Sequence, residues 1–152
     1  MDAAPSPRWA RALEAWIKPT QLTSWRQVIL KEQLSGLSYA LYSSTDANRP
    51  NTEVGSSATL YGPSALTAGA WTHLASTYDG AAVRLYVNGV QVASRAASVL
   101  MPASTGPLRI GGNSVWGEFF KGGVDDVRVY NRALSGPEIQ VDRDKPVATG
   151  TL

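Results

Sequence analysis

Residues 71–94 read WTHLASTYDGAAVRLYVNGVQVAS. In an extended chain Thr72, Leu74, Ser76 and Tyr78 share one face, and Trp71, His73, Ala75 and Thr77 share the other. Val83, Leu85 and Val87 alternate in the same way with Arg84, Tyr86 and Asn88. Asp79-Gly80 and Asn88-Gly89 separate the runs, and such dipeptides suit tight hairpin turns in which glycine takes positive φ without a Cβ clash. An antiparallel meander is therefore expected, running on through Leu108 and Ile110 to a last strand from Val124 to Tyr130.

Working outward, Leu13, Ala15 and Ile17 alternate with Glu14, Trp16 and Lys18 until Pro19 ends the strand. Val28-Ile29-Leu30, Tyr39-Ala40-Leu41-Tyr42 and Thr59-Leu60-Tyr61 read as further short strands. Residues 43–57 are polar and read as a long loop or a weak edge strand. Ser135-Gly136-Pro137-Glu138 has the spacing of a capping box and predicts a short helix over about residues 136–142. Many short strands with turn signals between them point to an all-β, two-sheet sandwich with one C-terminal helix.

The composition bounds the function. A chain of 152 residues that is 43% hydrophobic and 17% charged is long enough for one domain with its own core. Five Trp and six Tyr against two Phe favour large amphipathic rings, useful in cores and on sugar-binding surfaces alike. A formal charge of +2 with scattered basic residues offers no phosphate-tracking stripe, so no nucleic-acid partner is expected. The absence of cysteine excludes disulfides, thiolate metal sites and cysteine nucleophiles. No window approaches the roughly 20 apolar residues of a membrane span. The opening MDAAPSPRWAR lacks an apolar signal core, and the chain reads as an excerpt from a longer exported protein.

Four blocks, EAWIKPT (14–20), AWTHLASTYDG (70–80), LYVNG (85–89) and VDDVRVYNRALS (124–135), fall in an order that resembles the laminin G-like, concanavalin A-like jelly-roll family. In particular they resemble its bacterial extracellular modules. The resemblance implies an antiparallel jelly roll over residues 13–145, an irregular lead-in over 1–12 and a tail over 146–152. Relatives usually carry an FDG-like strand before the EAW block, and MDAAPSPRWAR cannot supply it. A sheet edge is then left open, which invites edge-to-edge pairing of two copies.

Regular alternation puts Asp125 in phase with Val127 and Val129, on the face expected to be buried. A carboxylate there is costly unless it is hydrogen-bonded, paired or metal-bound. The resemblance implies a structural calcium near this motif, with an acid here as ligand; backbone amides or an arginine would satisfy Asp125 equally. His73 is the only histidine and is expected to be a packed, hydrogen-bonded structural residue. Trp16 and Trp71 are expected to be packing residues.

Trp25, Tyr42, Tyr61 and Trp116 lie in or beside expected loops, as platforms for the apolar face of a sugar ring. Asn48, Arg49, Asn51, Asn113 and Glu118 are candidates to read its hydroxyls. The plain alternative is that these rings only cap the ends of the sandwich. Glycoside hydrolysis needs two carboxylates about 5–5.5 Å or about 6.5–9.5 Å apart. Glu14, Glu32, Glu53, Glu118 and Glu138 are isolated in sequence, so no enzyme is expected. The chain thus reads as a non-catalytic recognition module, with carbohydrate as the expected ligand, carried by a larger extracellular protein. A protein-interaction or spacer module is the alternative.

Overall fold

The computed structural model describes residues 9–147. Most of the expected lead-in, most of the tail and any strand formed by the first eight residues lie outside the described residues. The elements are β1 (Arg11–Pro19), β2 (Arg26–Gln33), β3 (Gly36–Ser44), β4 (Asn51–Val54), β5 (Ala58–Tyr61), β6 (Thr72–Tyr78), β7 (Ala82–Val87), β8 (Val90–Ala96), β9 (Leu108–Ile110), β10 (Gly122–Tyr130) and α1 (Gly136–Asp144). They form two antiparallel five-stranded sheets in the orders β10-β1-β6-β7-β8 and β5-β4-β3-β2-β9. The core between the sheets takes Leu13, Ala15 and Ile17 from β1, Val28 and Ile29 from β2, Leu41 from β3, Leu74 and Tyr78 from β6, and Leu85 from β7. This is the expected all-β jelly-roll sandwich with one short C-terminal helix.

Both hairpin turns form. Asn88 and Gly89 have φ of 51° and 79°, the two positive values of a type I′ turn. Asn88 is held at both ends, because its side-chain oxygen accepts the His73 amide at 2.9 Å and its own amide donates to the His73 carbonyl at 2.7 Å. The Asp79 carboxylate accepts the Ala81 and Ala82 amides at 2.8 and 2.7 Å.

The meander ends sooner than the alternation suggests. β9 leaves for the second sheet and pairs Ile110 with Ile29, and β10 returns to the far edge of the first sheet beside β1. Alternation specifies a face, not a sheet. Asn51–Val54, expected to be a loop or an edge, is an interior strand between β3 and β5. Its polar residues are tolerated there because Thr52 donates to the Ala40 carbonyl at 2.9 Å and Glu53 lies on the outward face. Strand β1 begins at Arg11, two residues before the expected boundary. Trp71 is 48% exposed and stands over Gly123 instead of entering the core.

Asp125 is not on a buried face. The pairing Glu14↔Arg128 gives way to Trp16↔Asp125, so β10 carries an extra residue, and Asp126 takes φ 49°. This is a β-bulge. It puts Val124 and Val127 against the core, three residues apart, and turns Asp125 outward to accept the Asp126 amide at 2.8 Å. The bulge also disrupts the outer ladder of the edge where a second copy would pair. At Gly122 the strand passes so close to β1 that a Cβ would lie 2.0 Å from the Lys18 carbonyl oxygen.

The buried acid is Glu14. Ser135 and Glu138 exchange both capping-box hydrogen bonds, at 3.3 and 3.1 Å, and start α1 across the outer face of the first sheet. Ile139 packs there with Ala12, Ala75, Tyr86 and Leu134. Beneath the helix Glu14 and His73 are fully buried, with Nε2 and Oε2 3.9 Å apart. Glu14 shares a side-chain hydrogen bond with Asp142, whereas the His73 ring nitrogens have no hydrogen-bond partner among the described residues. The packing expected of His73 is present, but its side-chain hydrogen bonds are not. Trp16 meets the His73 ring edge-on at 5.3 Å and donates to the Arg143 carbonyl at 3.1 Å.

Burial, helped by the nearby Asp142 carboxylate, pushes Glu14 up to about 9. Burial, with the charges of Arg128 and Arg143, pushes His73 down to about 4. At neutral pH the two therefore meet as a carboxylic acid and a neutral imidazole, not as an ion pair.

Folded Glu14 keeps a proton that the unfolded chain loses between 4.5 and about 9, so its contribution to stability declines as pH rises through that window. His73 has the opposite sign, since the unfolded ring is charged below 6.5 while the folded ring stays neutral down to about 4. The two slopes oppose between 4.5 and 6.5. Denaturant unfolding is expected to show a plateau there and a decline above it, of up to about 1.4 kcal/mol per pH unit for one proton. Glu14→Gln is expected to flatten the alkaline limb; a limb that survives the substitution contradicts the assignment.

Candidate functional site

The chain from Gly111 to Lys121, between β9 and β10, folds over the outer face of the second sheet. Its tip is a tight hairpin in which Asn113 and Gly117 exchange backbone hydrogen bonds at 2.8 and 3.1 Å. The Asn113 side-chain oxygen accepts the Trp116 amide at 2.7 Å. Two buried side chains of β2 seat this hairpin. Glu32 accepts the Ser114 amide at 2.6 Å and its hydroxyl at 2.8 Å, and the Ser114 amide holds the Glu32 carboxyl below its ordinary range. Gln27 accepts from the Asn113 amide group at 3.1 Å and donates to the Arg109 carbonyl at 2.8 Å.

Asn113 also donates to Glu118 Oε1 at 2.7 Å, and the same oxygen accepts the Tyr42 hydroxyl at 2.9 Å. Burial, reinforced by the Glu118 charge, raises the Tyr42 phenol, so it stays a donor. Trp25, from the turn before β2, packs edge-on against Tyr42 with ring centres 5.0 Å apart. Leu30, Leu37 and Ala40 support this pair from below. Between these groups opens a cleft of about 450 Å³, lined by Trp25, Tyr42 and Trp116 with Ser24 and Leu37, and by the carboxylates of Glu53 and Glu118.

The structure thus brings Trp25, Tyr42, Trp116 and Glu118 to one cleft, with Asn113 behind them. Tyr42 is not a loop residue. It lies in β3, 1% exposed, and offers its hydroxyl to Glu118 rather than a free face. Tyr61 is elsewhere, at the end of β5 beneath the Arg49 guanidinium at 5.5 Å. Asn48 is a turn residue with φ 55°. Asn51 is wholly buried in β4 beside Tyr42, with both amide atoms unpartnered.

Glu53 is the residue that the sequence reading missed. It alternates with Thr52 and Val54, a period-two signal hidden because the polar residues 43–57 read as a long loop or a weak edge strand. Burial pushes its carboxyl up to about 7, and the Glu118 charge adds to the rise. The two glutamates, isolated in sequence, are neighbours in space.

A structural calcium at Asp125 does not fit the residues present. Asp125 is exposed and spends Oδ1 on the Asp126 amide, while Asp126 accepts the Val147 amide at 3.1 Å. Among the described residues no group of three or more His, Cys, Asp or Glu side chains is placed to hold a metal ion. Two other clefts are of similar size, at about 450 and 500 Å³. Volume therefore does not single out the Trp25–Trp116 cleft; its pairing of indole faces with two carboxylates does.

The comparisons with known proteins agree with this architecture. An 81-residue stretch is 33% identical to mouse pappalysin-1, covering 50% of this chain and 5% of that protein; the chain thus spans a small part of that relative. Domain 4 of AbnA, a GH43 extracellular arabinanase of Geobacillus stearothermophilus, superposes with a TM-score of 0.70 at 26% identity, over 88% of this chain and 66% of that one. The CBM40 domain of the Ruminococcus gnavus IT-sialidase gives 0.71 at 19% identity, over 87% and 81% of the two chains. A SAP-like pentraxin from Limulus polyphemus gives 0.62 at 20% identity, over 90% and 70%. The laminin G-type family matches residues 7–140. The chain belongs to the concanavalin A-like lectin/glucanases superfamily.

Proposed function

We propose that this chain is a non-catalytic carbohydrate-recognition module of a larger extracellular protein, and that its ligand lies in the cleft between Trp25 and Trp116. The observation that carries the reading is the convergence of two partly exposed indoles on a polar floor already fixed by the Tyr42–Glu118–Asn113 hydrogen bonds. Amphipathic rings cover the C–H face of a pyranose, and prepositioned polar groups read its hydroxyls at little entropic cost. The arabinanase domain at 26% identity was solved with arabinotriose, which supports a glycan as the class of ligand.

A protein-interaction role draws on a different observation. Leu108, Ile110 and Phe119, beside the same hairpin, are 42%, 53% and 65% exposed, and apolar patches of that kind serve protein contacts.

Titration of the whole chain against neutral, acidic and amino oligosaccharides, read by tryptophan fluorescence, separates the two. Binding is expected, and Trp25→Ala with Trp116→Ala is expected to abolish it while the melting temperature holds. Tyr61→Ala is expected to leave it intact. Binding that survives the double substitution, or none by a folded chain, contradicts the carbohydrate reading. Release of reducing sugar from a bound oligosaccharide contradicts its non-catalytic part.

Melting curves in saturating calcium and in chelator are expected to coincide, because a ligand of the folded state alone raises stability by mass action. A higher melting temperature in calcium that Asp125→Asn removes would restore the metal at Asp125.

A further inference from the structure

The Trp25–Trp116 cleft holds two carboxylates and no cation to match them. None of its described lining residues is Lys, Arg or His. The nearby Arg26 is spent on the carbonyls of Thr23 and Phe119, at 2.9 and 3.0 Å. Among the described residues the Glu118 carboxylate is bonded only to the neutral donors Tyr42 and Asn113. Glu53 has no hydrogen-bond or ion-pair partner among the described residues. Burial first, and repulsion from the Glu118 carboxylate second, leave Glu53 partly protonated near neutral pH in the free protein. Two residues along β4, on the same strand face, Asn51 has both amide atoms buried and unpartnered.

A positively charged ligand removes the repulsion by taking the place of the Glu53 proton. The two indoles favour the same sign of charge, since the face of an indole attracts an ammonium group. A sugar acid entering the cleft would instead meet two carboxylates with no counter-ion. Resting on the carbohydrate reading, we infer that the cleft selects glycans bearing a free primary amine, that is, unacylated amino sugars, and rejects anionic ones. The sialidase domain of like fold was solved with sialyllactose. Its charge preference does not transfer, because charge selection comes from the side chains and not from the sandwich.

The selection has a proton signature. Glu118 is the one other charged group lining the cleft, and Tyr42 the remaining titratable one. An amine that arrives charged and is held by Glu53 displaces the carboxyl proton into the buffer, whereas one that arrives neutral takes that proton up and releases none.

The test is calorimetric titration of the whole chain with a glucosamine oligosaccharide, its fully N-acetylated counterpart, an arabino-oligosaccharide and sialyllactose. Each titration is run at slightly acidic pH, where the amine arrives charged and Glu53 still carries its proton, in two buffers of different ionisation enthalpy. The amine-bearing oligosaccharide is expected to bind about tenfold tighter than the acetylated one, with release of protons. Glu53→Gln is expected to remove both the preference and the proton release while leaving the melting temperature unchanged or higher. Trp116→Ala is expected to weaken both oligosaccharides alike. Equal or tighter binding of the acetylated or sialylated sugar overturns the charge inference and leaves the carbohydrate reading standing. Failure of all four sugars to bind a folded chain overturns both. Binding of a lysine-rich peptide tighter than any of the sugars overturns both in favour of a protein partner.

Discussion

The short pairing of β9 with β2 is the constraint from which the Trp25–Trp116 cleft follows. Ile29 pairs with Ile110, Leu30 with Arg109 and Lys31 with Leu108, which places the chain beyond Ile110 over the outer side of the second sheet. Glu32 and Gln27 in β2 then hold Ser114 and Asn113. Asn113 aims Glu118 at Tyr42, so the floor of the cleft is bonded before any ligand arrives. Had β9 stayed in the meander beside β8, as alternation alone would allow, Trp116 and Glu118 would lie on the opposite sheet from Trp25 and Glu53. The function proposed depends on that one crossing.

The two sheets treat buried carboxylates differently. Glu14, sealed under α1, stays neutral because burial and its hydrogen bond to the Asp142 carboxylate both favour the protonated form; it belongs to the packing of helix on sheet. Glu32 is nearly as buried but ionised, because the Ser114 amide, the Ser114 hydroxyl and Arg109 all face it. Glu53 and Glu118 lie between these extremes, accessible enough to meet a ligand and close enough to disturb each other. Burial alone identifies none of these roles. The donors around each carboxylate do, as expected when desolvation and hydrogen bonding act in opposite directions on a charge.

Much of the sandwich is legible in the sequence, since strand alternation, the Asn88-Gly89 turn and the Ser135–Glu138 capping box are local signals with local causes. What is not legible is long-range or hidden by one residue. The bulge at Asp126 shifts the phase of β10, so an inference resting on strict alternation buries Asp125 and overlooks Glu14 on the neighbouring strand β1. Interior placement lets Asn51–Val54 remain a strand despite its polar sequence, and Glu53 was lost with it. Four of the nine sugar-contact candidates, Trp25, Tyr42, Trp116 and Glu118, line one cleft. Asn113 lies behind it as the group that positions Glu118, and Tyr61 lies apart. Aromatic character near turns marks candidate rings, but which of them share a cleft depends on sheet order, which no local pattern carries.

The most direct measurement of the central claim is a titration followed by two-dimensional nitrogen–proton NMR, with a glucosamine oligosaccharide as ligand. Saturable shifts are predicted for the indole N–H of Trp25 and Trp116 and for the amides of Glu53, Asn113 and Glu118, with Tyr61, Asp125 and α1 unmoved. Shifts confined to β5, to the β10 edge or to the helix, with the two indoles unchanged, would contradict it.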